Sequence, residues 1–170
     1  SAIQNYGSSQ QVLDMKISWF LGTTAESTLF LAGLSSLYPL MASECNTPDT
    51  LVPYPSFGEY ADRFPNATTY DPHTSLADLR STIMATTPTR VILVNPNNPS
   101  GTLHGTAALV DLFTEMPKVQ FIVDESFLPF TTEPSVVDLE RVLGTNVVVI
   151  SSLSKTLGVP GLRIGYAWSK

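Results

Sequence analysis

Apolar residues along this chain fall into two patterns. Short runs occur at Leu51-Val52, Val91 to Val94, Phe121 to Val123, Val147 to Ile150 and Ile164 to Ala167. Runs of this length, rich in Val and Ile, predict strands buried on both faces. Between them, apolar residues recur at helical spacing over Thr28 to Leu37, Phe57 to Phe64, Leu76 to Met84, Ala107 to Met116 and Val136 to Leu143. Strand and helix in alternation predict an α/β fold, a mostly parallel sheet with helices on both faces. The chain has no repeat and no low-complexity stretch, and the prolines between Pro48 and Pro72 read as loops inside a single domain.

Polar residues gather where the apolar runs stop. Asp124 directly follows Val119-Gln120-Phe121-Ile122-Val123, and Lys155 comes soon after Asn146-Val147-Val148-Val149-Ile150. In an open α/β sheet, ligands bind beyond the carboxyl ends of the strands, so both side chains emerge at the functional edge. Ser152 and Ser154 flank the lysine, and Arg163 follows in Pro160-Gly161-Leu162-Arg163-Ile164-Gly165-Tyr166. Taken singly, a lysine is usually a solvated surface residue and an aspartate after a strand is usually a turn former. Their joint order argues otherwise. Asn95-Pro96-Asn97-Asn98-Pro99-Ser100-Gly101 is a turn-rich stretch after the Val91 to Val94 run, and Pro55-Ser56-Phe57-Gly58-Glu59-Tyr60 brings an aromatic to the start of an expected helix. Leu21-Gly22-Thr23-Thr24-Ala25-Glu26-Ser27 leads into the expected helix at Thr28. A turn that opens a helix offers unpaired backbone N–H groups to an anion.

These motifs, from Leu21 to Tyr166, resemble the large domain of the fold-type I pyridoxal 5'-phosphate (PLP) enzymes, aminotransferase class I/II, most of all the histidinol-phosphate aminotransferase and threonine-phosphate decarboxylase branches. The resemblance implies PLP as cofactor, with Lys155 as its Schiff-base lysine and Asp124 as the carboxylate beside the ring nitrogen. It also implies Phe57 stacked on the ring, Asn98 on the 3'-oxygen, and the phosphate held by Thr24 and Ala25 amides, Ser152, Ser154 and Arg163. The chain departs from the family at Thr23, where glycine is frequent, and at Phe127, where many members carry a tyrosine that also reaches the 3'-oxygen. If Thr23 had to adopt a left-handed backbone, it would be strained.

The resemblance further implies that residues 1–170 form the cofactor-binding large domain only, with the C-terminal small domain and the N-terminal arm absent. The segment before Leu21 is too short for the family's usual first helix, and Tyr6 is a weak match to the tyrosine lent across the family's dimer. The implied activity is that of an aminotransferase on an amino acid or amino-acid phosphate, working as a homodimer. A threonine-phosphate decarboxylase-like lyase and a non-catalytic PLP-binding or structural remnant are the alternatives. A dinucleotide-binding Rossmann domain has little support, since no Gly-x-Gly-x-x-Gly follows a strand.

Composition narrows the partners. Lys and Arg number 9 against 15 Asp and Glu, a net charge of −6, and the basic residues form no runs. That argues against nucleic acid and anionic membranes as partners. Charged residues are 14% of the chain, well under the ordinary level of about 25%, which points to surface covered by other protein. His73 and His104 lack metal-ligand spacing, so no metal is expected. The single Cys45 excludes an internal disulfide framework. With no signal peptide and no apolar run long enough for a membrane span, the expected location is cytoplasmic.

Overall fold

A computed structural model describes residues 8–170. The chain enters through helix α1 (Gln10–Leu21), which stops at Gly22, where φ of 69° and an N–H turned back onto the Ser18 and Trp19 carbonyls close the last turn. Strand β1 (Thr28–Leu31) leads through a 3₁₀ turn, Leu34–Ser36, into α2 (Tyr38–Cys45). Then β2 (Thr50–Pro53), α3 (Gly58–Arg63), β3 (Thr68–Tyr70), α4 (Leu76–Thr86), β4 (Arg90–Val94), α5 (Thr106–Glu115) and β5 (Gln120–Asp124) alternate. A 3₁₀ segment, Val136–Val142, connects to β6 (Val147–Ser152), the single-turn α6 (Leu153–Thr156) and β7 (Gly165–Ser169).

The strands form one sheet in the order β1-β7-β6-β5-β4-β2-β3. Among the described residues β7 alone runs against its neighbours, and the other pairings are parallel. Side chains alternate across the sheet. Val91 and Leu93, Phe121 and Val123, Val147 and Val149 face a core closed by α1, α4 and α5. Ile92 and Val94, Ile122 and Ile150 face a second core closed by α2 and α3. The predicted α/β architecture, a mostly parallel sheet with helices on both faces, is the one observed.

Two expectations fail at the N-terminal end. Residues 10–21 do form a helix. The helix expected over Thr28 to Leu37 is instead a strand, a turn and the start of α2. An unbroken apolar run such as Leu29-Phe30-Leu31-Ala32 carries no period that separates strand from buried helix. The choice is made by partners far along the chain: Thr28 pairs with Trp168 and Leu31 with Gly165, while the Asp14 carboxylate accepts from Phe30 N at 2.6 Å. The Val136–Val142 segment also differs, being 3₁₀ rather than α, opened by a Ser135/Asp138 capping box.

Candidate cofactor site

The register of the sheet decides which loops meet. Gly165 at the start of β7 pairs with Ser152 at the end of β6 and with Leu31 at the end of β1. Arg163, the α6 segment and the Gly33–Ser36 turn therefore converge at the carboxyl edge, beside Asp124 at the end of β5. They surround a cavity of about 350 Å³.

One wall of the cavity is built around Asp124. Its carboxylate is 4% exposed. Oδ2 accepts the Tyr60 hydroxyl at 2.7 Å, and Oδ1 accepts the Ser126 N–H at 2.9 Å. Burial pushes the Asp124 pKa up, and the Ser126 and Tyr60 hydrogen bonds and the Lys155 charge pull it part of the way back. Ser126 has a second task. Its hydroxyl accepts the Ser152 N–H at 3.0 Å, tying the end of β5 to the end of β6, where the lysine segment begins.

A second wall of the cavity carries Lys155 and Arg163. Lys155 lies in α6, with Nζ 4.4 Å from the centroid of the Phe127 ring and 5.9 Å from that of Phe57. Its ammonium thus stands between two aromatic faces. Arg163 adopts a left-handed backbone, φ 49°, and donates through Nη2 to Ser35 Oγ at 3.0 Å and through Nη1 to the Pro160 carbonyl at 3.3 Å. Such a backbone in a non-glycine residue is strained, and strain of this kind clusters at functional sites. Gly33 lies against the guanidinium with φ of 77°, and a Cβ there would stand 2.8 Å from Nη2. The angle favours glycine, and a Cβ there would force the guanidinium to shift.

Of the residues singled out in the sequence, Asp124, Ser152, Ser154, Lys155, Arg163, Phe57 and Asn98 all line this cavity. Asn97, beside Asn98, serves the fold. Its amide donates to Ser100 Oγ at 2.8 Å and to the Pro55 carbonyl at 3.1 Å, and accepts from Ser56, so the Phe57 segment is held against the Asn98 loop.

Thr24 and Ala25 do not reach the cavity. They sit before β1, at the opposite edge of the sheet, where Thr24 shares a different cleft with Trp168 and Lys170. Reading β1 as a helix placed the turn of interest before the segment, whereas the strand ends at the Gly33 to Ser36 turn, whose Leu34 and Ser35 line the cavity. Thr23 escapes the strain feared for it. Positive φ falls on Gly22, and the Thr23 hydroxyl bonds that of Thr28 at 2.8 Å. Tyr6 lies outside the described residues.

Sequence reasoning missed Tyr60, Ser126 and Ser35. Tyr60 had a signal, since it stands three residues after Phe57 in the same motif. Ser35 had one in Gly33-Leu34-Ser35-Ser36, a glycine turn closing an apolar run.

The residues present fit PLP. Ser154 Oγ is buried without a hydrogen-bond partner among the described residues and lines the cavity, as a donor reserved for a ligand would. The cationic Arg163 and the residues Ser35 and Ser152 line the same cavity. Cavity size agrees with small-molecule sites, which run from about 300 to 1,000 Å³.

Fold and motif order together define a domain of the aminotransferase type. The profile of the family "Aminotransferase class I and II" matches residues 10–170, and the chain belongs to that family. It is 33% identical over 153 residues to the histidinol-phosphate aminotransferase of Leuconostoc citreum, covering 83% of this chain and 43% of that protein. The crystal structure of L-threonine-O-3-phosphate decarboxylase from Porphyromonas gingivalis superposes with a TM-score of 0.84 at 25% identity, over 99% of this chain and 52% of that one. Histidinol-phosphate aminotransferase from Sinorhizobium meliloti, solved in complex with PLP, shares the fold with a TM-score of 0.77 at 19% identity, over 99% of this chain and 50% of that one. The chain spans about half the length of these relatives.

Proposed function

We propose that the protein is a PLP-dependent aminotransferase acting on an amino acid or an amino-acid phosphate. The observation that carries this reading is the convergence of Asp124, Lys155, Ser152, Ser154 and Arg163, drawn from separate motifs, on one cavity. PLP, when bound, supplies an electron sink for the bond broken at the substrate's Cα. Lys155 Nζ would hold the cofactor's aldehyde carbon and, once released by the substrate amine, would carry a proton to or from Cα. Asp124 would keep a proton on the ring nitrogen, since a nearby anion favours the charged form. Arg163, Ser35, Ser152 and Ser154 would grip the phosphate, Arg163 as a fixed cation. Phe57 would cover the ring face and Asn98 would hydrogen-bond the 3'-oxygen.

Purified protein mixed with PLP is expected to absorb in the visible. Borohydride is expected to fix the adduct to the peptide containing Lys155, and amino-group transfer is expected from at least one amino acid or amino-acid phosphate. A colourless mixture with no fixed adduct would remove the reading. Phe127 and the likeness to a threonine-phosphate decarboxylase support a second reading, a lyase that releases carbon dioxide from a phosphorylated amino acid. Product analysis separates the two.

A homodimer and a cytoplasmic location belong to the same proposal. Exposed apolar side chains on α1, Met15, Trp19 and Phe20, favour covered surface. Among the described residues no helix is long and apolar enough to cross a membrane. The small-domain arginine for the substrate carboxylate is proposed to lie beyond residues 1–170.

A further inference from the structure

We propose that Tyr60 is a positioning residue for Asp124, holding the carboxylate as an anion in one orientation so that it can keep a proton on the cofactor's ring nitrogen. The inference rests on the PLP reading above and extends it to a side chain outside the cavity wall.

Four observations support it. The Tyr60 hydroxyl is fully buried and its 2.7 Å contact to Oδ2 of Asp124 is a buried side-chain pair. Burial and the neighbouring Asp124 charge push the phenol's pKa well above its ordinary value, so Tyr60 keeps its proton and acts as the donor. The terminal torsion of an aspartate is otherwise soft. Here Ser126 N–H fixes one oxygen and Tyr60 the other, from different elements. The donor is itself immobilised, with the Tyr38 ring edge-on at 5.5 Å and the Phe64 ring tilted at 5.9 Å.

The physical need is specific. Taking a carboxylate out of water favours its neutral form, and hydrogen bonds to the anion oppose that. Without the Tyr60 donor, Asp124 becomes a stronger base. The proton shared with a ring nitrogen then moves toward the carboxyl group, and the ring tends toward its neutral state. Loss of a hydrogen bond to a charged group is expected to move this balance by about tenfold or more.

The test uses the full protein loaded with PLP labelled with ¹⁵N in the ring. Tyr60→Phe keeps the ring and removes the donor. Its ring nitrogen resonance is expected to move toward the neutral pyridine position, and kcat to fall by about tenfold with a smaller change in PLP retention. Phe64→Leu loosens the same aromatic cluster without touching the donor. It is expected to lower the unfolding midpoint and leave the resonance in place. An unmoved resonance in Tyr60→Phe, or an equal movement in Phe64→Leu, overturns the inference. Should Tyr60→Phe fail to fold, the unmodified protein still decides the matter. A downfield hydroxyl proton of Tyr60 that shifts when PLP is added is the expected result, and its absence or indifference to PLP overturns the inference. Failure of the unmodified protein to form a borohydride-fixed adduct at Lys155 would instead remove the PLP reading itself, so the two failures are distinguishable.

Discussion

The two walls of the cavity are built to different standards. On the Asp124 side every group is buried and tied to others: both carboxylate oxygens accept hydrogen bonds, Ser126 latches onto β6, and Tyr60 is locked among aromatic rings. On the other side Lys155 and Arg163 are exposed, α6 is a single turn, and Leu157 and Leu162 beside it point to solvent. Few buried apolar contacts mean low local stability. The proposed electrostatic partner, Asp124, thus belongs to the rigid part of the fold, where preorganised charge is most effective. The groups proposed to attach and grip the cofactor belong to short segments.

The strongest way to probe this contrast is to remove one functional atom from each wall. Lys155→Ala is expected to abolish the borohydride-fixed adduct outright, read by peptide mapping, while the far-ultraviolet spectrum stays unchanged. A reducible adduct that survived at another lysine would show that the mobile wall had been misread. Asp124→Asn keeps the shape and deletes the charge. Turnover is expected to fall by about 10²-fold or more, the scale of a lost preorganised electrostatic partner, with PLP retention falling much less. Steady-state kinetics beside a PLP titration by absorbance give both numbers, and equal losses would erase the distinction between the walls.

Legibility in the sequence follows the same division. The central strands β4, β5 and β6 are short Val- and Ile-rich runs that nothing else in the chain resembles, and Asp124 and Lys155 could be placed at their ends from order alone. The edge of the sheet was not legible. Thr28–Leu31 is a strand because β7, some 140 residues later, supplies its partner, and local pattern carries no trace of that pairing. One wrong element drew attention to Thr24 and Ala25, which do not line the cavity, and hid Ser35, which does. Tyr60 was hidden for another reason. A buried tyrosine looks like any core aromatic until the carboxylate beside it is seen.

Smaller effects refine the picture of both sides. Glu125, next to Asp124 but accepting from Ser135 Oγ at 2.5 Å and Val136 N at 2.8 Å, is 3% exposed, and burial pushes its pKa from 4.5 up to about 7. A raised folded-state pKa means the folded protein binds this proton more tightly than the unfolded chain. The associated stability is therefore full below about pH 4.5 and lost as pH rises through about 7. The swing is on the order of 3 kcal/mol at most. Glu125→Gln is expected to flatten the fall of the urea midpoint across that window. A variant that kept the same slope would assign the pH dependence elsewhere. Next in size is Gly33→Ala, which meets a positive φ and a 2.8 Å approach to Arg163 together. It is expected to cost about 1–2 kcal/mol in a denaturant titration and to weaken retention of PLP more than that of its dephosphorylated form. Equal weakening of both would detach Arg163 from the phosphate.

The smallest expected effect tests how much the mobile wall can absorb. Phe127 presents its ring face to Lys155 Nζ at 4.4 Å and lies 6.3 Å from the Phe130 ring. Phe127→Tyr keeps that face, and with it the cation–π contact, which is of similar strength for the two rings. The added hydroxyl is a donor in the cavity where the family resemblance places the 3'-oxygen. Because a neutral hydrogen bond contributes a net of about 1 kcal/mol, PLP retention during dialysis is expected to rise by no more than about tenfold. Stability is expected to stay within about 0.5 kcal/mol, as for a substitution outside the packed core. An adjustable wall accommodates one extra oxygen in this way. A marked loss of stability or of PLP would show instead that the Lys155 side is packed as tightly as the Asp124 side, and that phenylalanine is required there by shape.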